Sequence, residues 1–173
     1  LHWPNPKVDF EAMFDALNTA KEKGLTRHIG VSNYPSDWLA RAQEVSRASL
    51  VTNQIEYHPF LAQNTLHPAL RKSDMALTAY CPLAQGRVFQ DETLKGIAEQ
   101  HGKNSGQVAL RWLIQQDGVV AIPRSSQEDN ASANIEIFDF ELSQDEMKAI
   151  SELAEPNGRV IDPDGLAPEW DKP

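Results

Sequence analysis

The chain has 173 residues, 40% of them hydrophobic and 24% charged, which is an ordinary globular composition and enough length for one domain with a sizeable core. Its formal net charge of -9 argues against nucleic acid as the main partner, because a phosphate backbone needs clustered Lys and Arg. The single cysteine, Cys81, excludes an internal disulfide and points to a reducing, cytoplasmic setting.

The opening Leu1-His2-Trp3-Pro4 looks like the end of a buried strand, so the sequence reads as one whose beginning is missing. Proteolytic processing or an artificial cut would look the same. Residues 8 to 23 are patterned as an amphipathic helix, with Phe10, Met13, Phe14, Leu17 and Ala20 on one face and Gly24 just past its end. His28 to Val31 is a short strand. Ser36 is placed to cap a second helix whose Trp38, Leu39, Ala42 and Val45 share a face. Leu50 to Ile55 is a strand rich in β-branched residues. A short helix at Pro68 to Lys72 and a strand at Met75 to Tyr80 follow.

Two helices come next, at 91 to 101 and 105 to 116, the second with Val108, Ala109, Trp112 and Leu113 inward. Val119 to Ile122 is the last strand. Ser143-Gln-Asp-Glu146 is a capping box that opens a final helix with Met147, Ile150 and Leu153 inward. The tail from Pro156 to Pro173 reads as a loop. No apolar run approaches the roughly 20 residues of a membrane-spanning helix, and no signal segment opens the chain.

Alternating strands and helices imply parallel strands with right-handed crossovers. The first strand-to-strand intervals, about 23 to 27 residues, suit one βα unit each. A doubly wound sheet and a (β/α)8 barrel both fit. The absence of G-x-G-x-x-G weakens the first.

Each apolar run ends in polar or aromatic residues: His2-Trp3, Ser32-Asn33-Tyr34, Asn53-Gln54 with Glu56 and Tyr57 following, Tyr80-Cys81, and Arg124-Ser125-Ser126. In a parallel barrel all of these lie on the C-terminal rim, where active sites sit. Each has a bland alternative. His2 alone suits a hydrogen-bonded core histidine, Ser32 and Asn33 suit a cap or turn, Gln54 suits a backbone partner, Tyr80 suits packing, and Arg124 suits a solvated loop. Their joint placement is the stronger signal. Gly30-Val-Ser-Asn-Tyr34 fails as a nucleophile elbow because Tyr34 stands where the second glycine belongs. His2, His28, His58, His67 and His101 are scattered without zinc-ligand spacing, and there is no P-loop. The carboxylates fall mainly on helices and in the tail, where a solvated face is expected.

Taken together, several segments resemble the aldo-keto reductases over nearly the whole chain. They are Leu1-His-Trp-Pro4, Gly24-Leu25 through Ile29-Gly-Val-Ser-Asn-Tyr34, Asn53-Gln-Ile-Glu-Tyr-His-Pro59, Ala79-Tyr-Cys-Pro-Leu-Ala-Gln-Gly86, Gln107-Val-Ala-Leu-Arg-Trp112, Ile122-Pro-Arg-Ser125 and Phe138-Asp-Phe-Glu-Leu-Ser143 with Glu146-Met147. The tail Gly165-Leu-Ala-Pro-Glu-Trp-Asp171 is similar to the 2,5-diketo-D-gluconate reductase B branch, which also reduces methylglyoxal.

The resemblance implies an incomplete (β/α)8 TIM barrel. The chain would run from the end of strand 4 through strand 8 to the C-terminal helices and tail, as one portion of a single domain. It implies NADPH-dependent reduction of aldehydes and ketones; the departures near the phosphate segment leave NADH open as an alternative cofactor. His2 matches the active-site histidine that orients the carbonyl, and Trp3 and Trp170 match substrate-pocket residues. Ser32, Asn33 and Gln54 match residues that bond the nicotinamide carboxamide, and Tyr80 the aromatic that stacks on its ring. Leu83 and Gln85 match the loop along the pyrophosphate. Arg124, Ser125 and Asn134 match the segment that holds the 2′-phosphate and adenine. The partners implied are a small carbonyl substrate, with no nucleic acid, membrane or metal, and a monomeric parent.

Two departures matter. The family's catalytic set is an Asp, a Tyr that protonates the carbonyl oxygen, a Lys that lowers that Tyr's pKa, and a His. Only the His is matched here, and Tyr34, Tyr57 and Tyr80 match other positions. The expectation is a working reductase as the parent and an inactive chain by itself; the alternative is a non-catalytic, NADP-binding regulatory relative. Near the phosphate segment, Asn130 replaces an Arg common in relatives, and Glu128 and Asp129 add negative charge that weakens a 2′-phosphate contact.

Overall fold

The computed structural model describes residues 1–171. Helices and strands alternate: α1 (Phe10–Glu22), β1 (Ile29–Ser32), α2 (Ser36–Val45), β2 (Leu50–Glu56), α3 (Leu66–Lys72) and β3 (Ala76–Tyr80). A 3-10 turn (Ala84–Phe89) leads to α4 (Glu92–His101), α5 (Ser105–Ile114), β4 (Val119–Ala121), α6 (Glu128–Ile135) and α7 (Gln144–Ser151). The strands form one sheet in the order β1-β2-β3-β4. Sequential strands lie side by side with no reversal of order. This is the connectivity of a barrel wall, not of a doubly wound sheet, whose order reverses at a switch point. No helix of the described residues is long and apolar enough to cross a membrane.

The expected elements form with boundaries moved by a few residues, but three expectations need correcting. Residues 1–4 are not a strand. Pro4 and Pro6 have no N–H to donate, which leaves too short a run to build a ladder. Ser36 does not cap α2 with its own side chain: it is the first helical residue, and Pro35 at the cap position makes no side-chain bond. The helix α6 was not expected, since none of its residues is buried and its sequence shows no apolar stripe.

The chain divides into two compact units. The first comprises Leu1–Ile55, Asn64–Leu77 and the segment from Asp162. Its core is aromatic. The Phe10 ring lies 4.9 Å from Phe14 and 5.6 Å from Trp38, and Tyr34 meets Phe14 and Trp38 edge-on at 6.3 and 5.9 Å. Arg41 covers Phe10 with its guanidinium 4.2 Å from the ring centre. At the strands, β1 and β2 pair in parallel, Ile29 with Leu50 but Val31 with Asn53, so β2 carries one extra residue. Gly30 faces that irregularity. A Cβ there would lie 2.8 Å from both Thr52 Cγ2 and Thr52 O, so only glycine fits.

The N-terminus of α2 is capped from far along the chain. The Asp171 carboxylate accepts from Ser36 N at 3.0 Å and from Ser36 Oγ at 2.9 Å. It satisfies an orphan helix N–H and places negative charge at the positive end of the helix. Asp171→Ala is therefore expected to cost about 1 kcal/mol, read as a lower urea midpoint at unchanged slope.

The second unit comprises Glu56–Gln63 and Thr78–Ile161. Its core is built on α5, where Val108, Ala109, Trp112 and Leu113 are buried as their spacing predicts, against Leu94 and Ile97 of α4 and Ile150 of α7. Asn104 and Gln107 form a capping box at α5, and Ser143 and Glu146 form the expected one at α7. Trp112 donates its indole N–H to Ser151 Oγ at 3.2 Å and packs 5.2 Å from Tyr57.

Candidate functional site

In the first unit the ends of β1 and β2 carry the nicotinamide candidates, which their pairing brings together. Ser32 stands opposite Gln54. The Gln54 carbonyl accepts twice, from Ser32 Oγ at 2.7 Å and from Asn33 N at 2.9 Å. Asn33 leaves the strand with φ of 60°, a left-handed conformation that asparagine tolerates better than most residues. Its side-chain Nδ2 donates to Ser32 Oγ at 3.2 Å and to the His2 carbonyl at 3.3 Å. Ser32 and Asn33 are buried and Gln54 is half-buried.

The sequence reading gave Asn53 no role, and the structure gives it one. Its side chain is fully buried, donating to the Tyr34 carbonyl at 2.7 Å and accepting from Tyr34 N at 3.4 Å. This amide continues the β1–β2 ladder past the last backbone pair and fixes the turn that holds Asn33. A polar residue at an inward position of an alternating strand was the available signal.

His2 is exposed, unlike a core histidine, and its ring lies 6.2 Å from Trp3. Trp3 meets Trp170 of the tail edge-on at 6.3 Å, and Trp170 donates its indole N–H to Asp162 at 2.8 Å. The two expected substrate-pocket residues are therefore neighbours.

The second unit carries the remaining candidates. Tyr80 ends β3, and its carbonyl accepts from Tyr57 N at 3.3 Å. Leu83 is half-buried and its carbonyl accepts from Gly86 N at 2.8 Å. Gln85 is exposed with φ of 52° at the tip of this turn. Arg124 is exposed, and Ser125 Oγ bridges Gln127 N and O, both at 3.0 Å, immediately before α6. An unexpected helix N-terminus thus follows the phosphate candidates. Its free N–H groups favour an anion, while Glu128 and Asp129 in its first turn oppose one. Ser125 and Asn134 also line a largely apolar cavity of about 750 Å³ with Leu110, Val119 and Ile135.

The tyrosines of this chain are not built as proton donors. Burial pushes the Tyr34 and Tyr57 phenols up to about 12. Burial, and then the nearby Glu56 charge, raises Tyr80 further. Arg159 lowers the Tyr80 pKa only in part, and burial outweighs it.

Glu56, which ends β2 and so lies outside the helices and tail where solvated carboxylates were expected, is fully buried. Its partners lie about a hundred residues further on, at Val160 and Ile161.

The chain is 36% identical to methylglyoxal reductase DkgB of Escherichia coli O157:H7 over 99% of its own length and 64% of that protein's. It is 38% identical to glyoxal reductase of Bacillus subtilis (strain 168), over 96% and 59%. A crystal structure provisionally named 2,5-diketo-D-gluconic acid reductase B superposes with a TM-score of 0.97 at 44% identity, covering 99% of this chain and 61% of that one. A Gox0644 variant solved in complex with NADPH superposes at 0.84 with 34% identity, covering 92% and 59%. The chain thus spans a little under two thirds of the length of these relatives. Residues 1–155 match the Aldo/keto reductase family, the strand order is that of its barrel wall, and the chain belongs to that family.

Proposed function

We propose that this chain forms the cofactor-binding portion of an NADPH-dependent carbonyl reductase. The observation that carries the reading is the Ser32–Asn33–Gln54 arrangement. One backbone acceptor, the Gln54 carbonyl, takes the Ser32 hydroxyl and the Asn33 backbone N–H, and the Asn33 amide donates to Ser32 Oγ, so a hydroxyl and two amide side chains stand at the ends of paired strands. Such a set suits a planar carboxamide, which both donates and accepts. Tyr80 offers an aromatic face for the ring, Leu83 and Gln85 a turn for the pyrophosphate, and Arg124 and Ser125 a cation and hydroxyl for a 2′-phosphate. The reduced nicotinamide, when bound, supplies the hydride that reduces the carbonyl. His2 orients the carbonyl oxygen, and Trp3 and Trp170 shape the pocket around it. The substrate class is a small aldehyde or ketone, with methylglyoxal and 2,5-diketo-D-gluconate favoured by the names of the relatives.

Fixing the ring and carbonyl in one geometry lowers the barrier, but the protonation step needs a donor these residues lack. The chain assayed by itself is expected to oxidise no NADPH with methylglyoxal above the uncatalysed rate. Measurable turnover would overturn this part of the proposal. Cofactor binding is tested by titrating NADPH against tryptophan fluorescence. Quenching in the micromolar range supports the reading; a folded chain that shows none refutes it. Arg124→Ala is expected to weaken NADPH about tenfold or more while leaving NADH unchanged, since only the 2′-phosphate contact is lost. Equal losses for both cofactors would remove Arg124 from the phosphate site.

A further inference from the structure

Glu56 is the best-partnered buried charge among the described residues, and the function proposed above does not use it. It is the last residue of β2, with its side chain fully buried. One carboxylate oxygen, Oε1, accepts from Val160 N at 2.6 Å and lies 2.9 Å from His58 Nε2. The other, Oε2, accepts from Ile161 N at 2.9 Å and pairs with Arg159 at 3.6 Å. A charge taken out of water is tolerated only when its lone pairs are filled, and here the His58 ring and the stretch Arg159–Ile161 together surround both oxygens.

The same stretch is held a second time by backbone. The Phe60 carbonyl accepts from Glu155 N at 3.1 Å. Gly158 comes so close to that carbonyl that a Cβ would lie 1.6 Å from Phe60 O. Arg87 closes the arrangement, bonding Glu155 at 2.7 Å with its guanidinium 4.0 Å from the centre of the Phe60 ring.

We infer that Glu56 is a positioning residue, a buried clip that fixes the course of residues 155–161. Residues 155–161 have no helix or strand of their own to hold them. Their order comes from partners such as Glu56, Phe60 and Arg87. The clip stands on geometry alone.

The test is hydrogen exchange and 15N NMR on the whole chain. In Glu56→Gln the amide replaces the carboxylate with one neutral acceptor and adds an N–H that no partner awaits. The Val160 and Ile161 amides are expected to exchange at least about tenfold faster, with α5 amides unchanged. Gly158→Ala attacks the clip from its other side and is expected to give the same local pattern, so it decides the matter if Glu56→Gln fails to fold. Unchanged exchange at 160 and 161, or a rise spread equally through α5, would overturn the clip. Neither measurement involves cofactor, so failure of the clip is distinguishable from failure of the reductase reading, which the NADPH titration tests.

Discussion

Phe14→Ala is expected to destabilise the chain by about 3–5 kcal/mol, enough to remove a large part of the stability of an ordinary domain. Phe14 is completely buried on α1. Its ring touches Phe10 from the same helix and Tyr34 from the turn after β1. Those neighbours are anchored to separate backbone elements and cannot all collapse into the space left behind. The loss therefore includes a cavity as well as the transfer energy of the ring. A urea titration followed by circular dichroism reads the effect directly. Phe14→Leu keeps much of the volume and is expected to lose clearly less, and equal losses for the two variants would refute the packing account.

Asn53→Ala carries the second large effect, for a different reason. The substitution removes both partners of Tyr34's backbone, its N–H and its carbonyl, in a place water does not reach. Each group left unsatisfied costs about 1–3 kcal/mol. The change also frees the turn that holds Asn33 in its left-handed conformation, so NADPH binding is expected to weaken beyond what unfolding explains. Titrating cofactor at low temperature, where the variant remains folded, separates the two. Full stability with normal binding would mean that the Asn53 amide holds nothing in place.

These two positions mark what was legible in the sequence and what was not. Phe14 was readable as core because apolar residues on α1 recur at helical spacing, and burial follows that face. The strand ends were readable because β-branched runs stop at polar residues. Asn53 was visible only as a polar residue near a strand end; its partner, Tyr34, is set by the register of β1 against β2 and the extra residue in β2, which no local pattern encodes. The helix α6 escaped notice because it buries nothing and so shows no periodic face. The Asp171 cap on α2 joins residues 135 positions apart, and the Glu56 bonds join residues 104 and 105 apart. Such contacts leave no trace in spacing. Glu56 was visible only as a residue following a strand end; single-residue tendency favours exposure for Glu, and only the fold reveals the donors that make its burial tolerable.

The double acceptor at Gln54 has a consequence for redesign. The atom that seats Ser32 and Asn33 is a main-chain oxygen, which every amino acid possesses. The side chain at 54 can therefore be varied in a library without unseating its two neighbours. Position 54 is where altered ligand preference can be sought at low structural risk, whereas Ser32, whose hydroxyl serves both Gln54 O and Asn33 Nδ2, offers no such freedom.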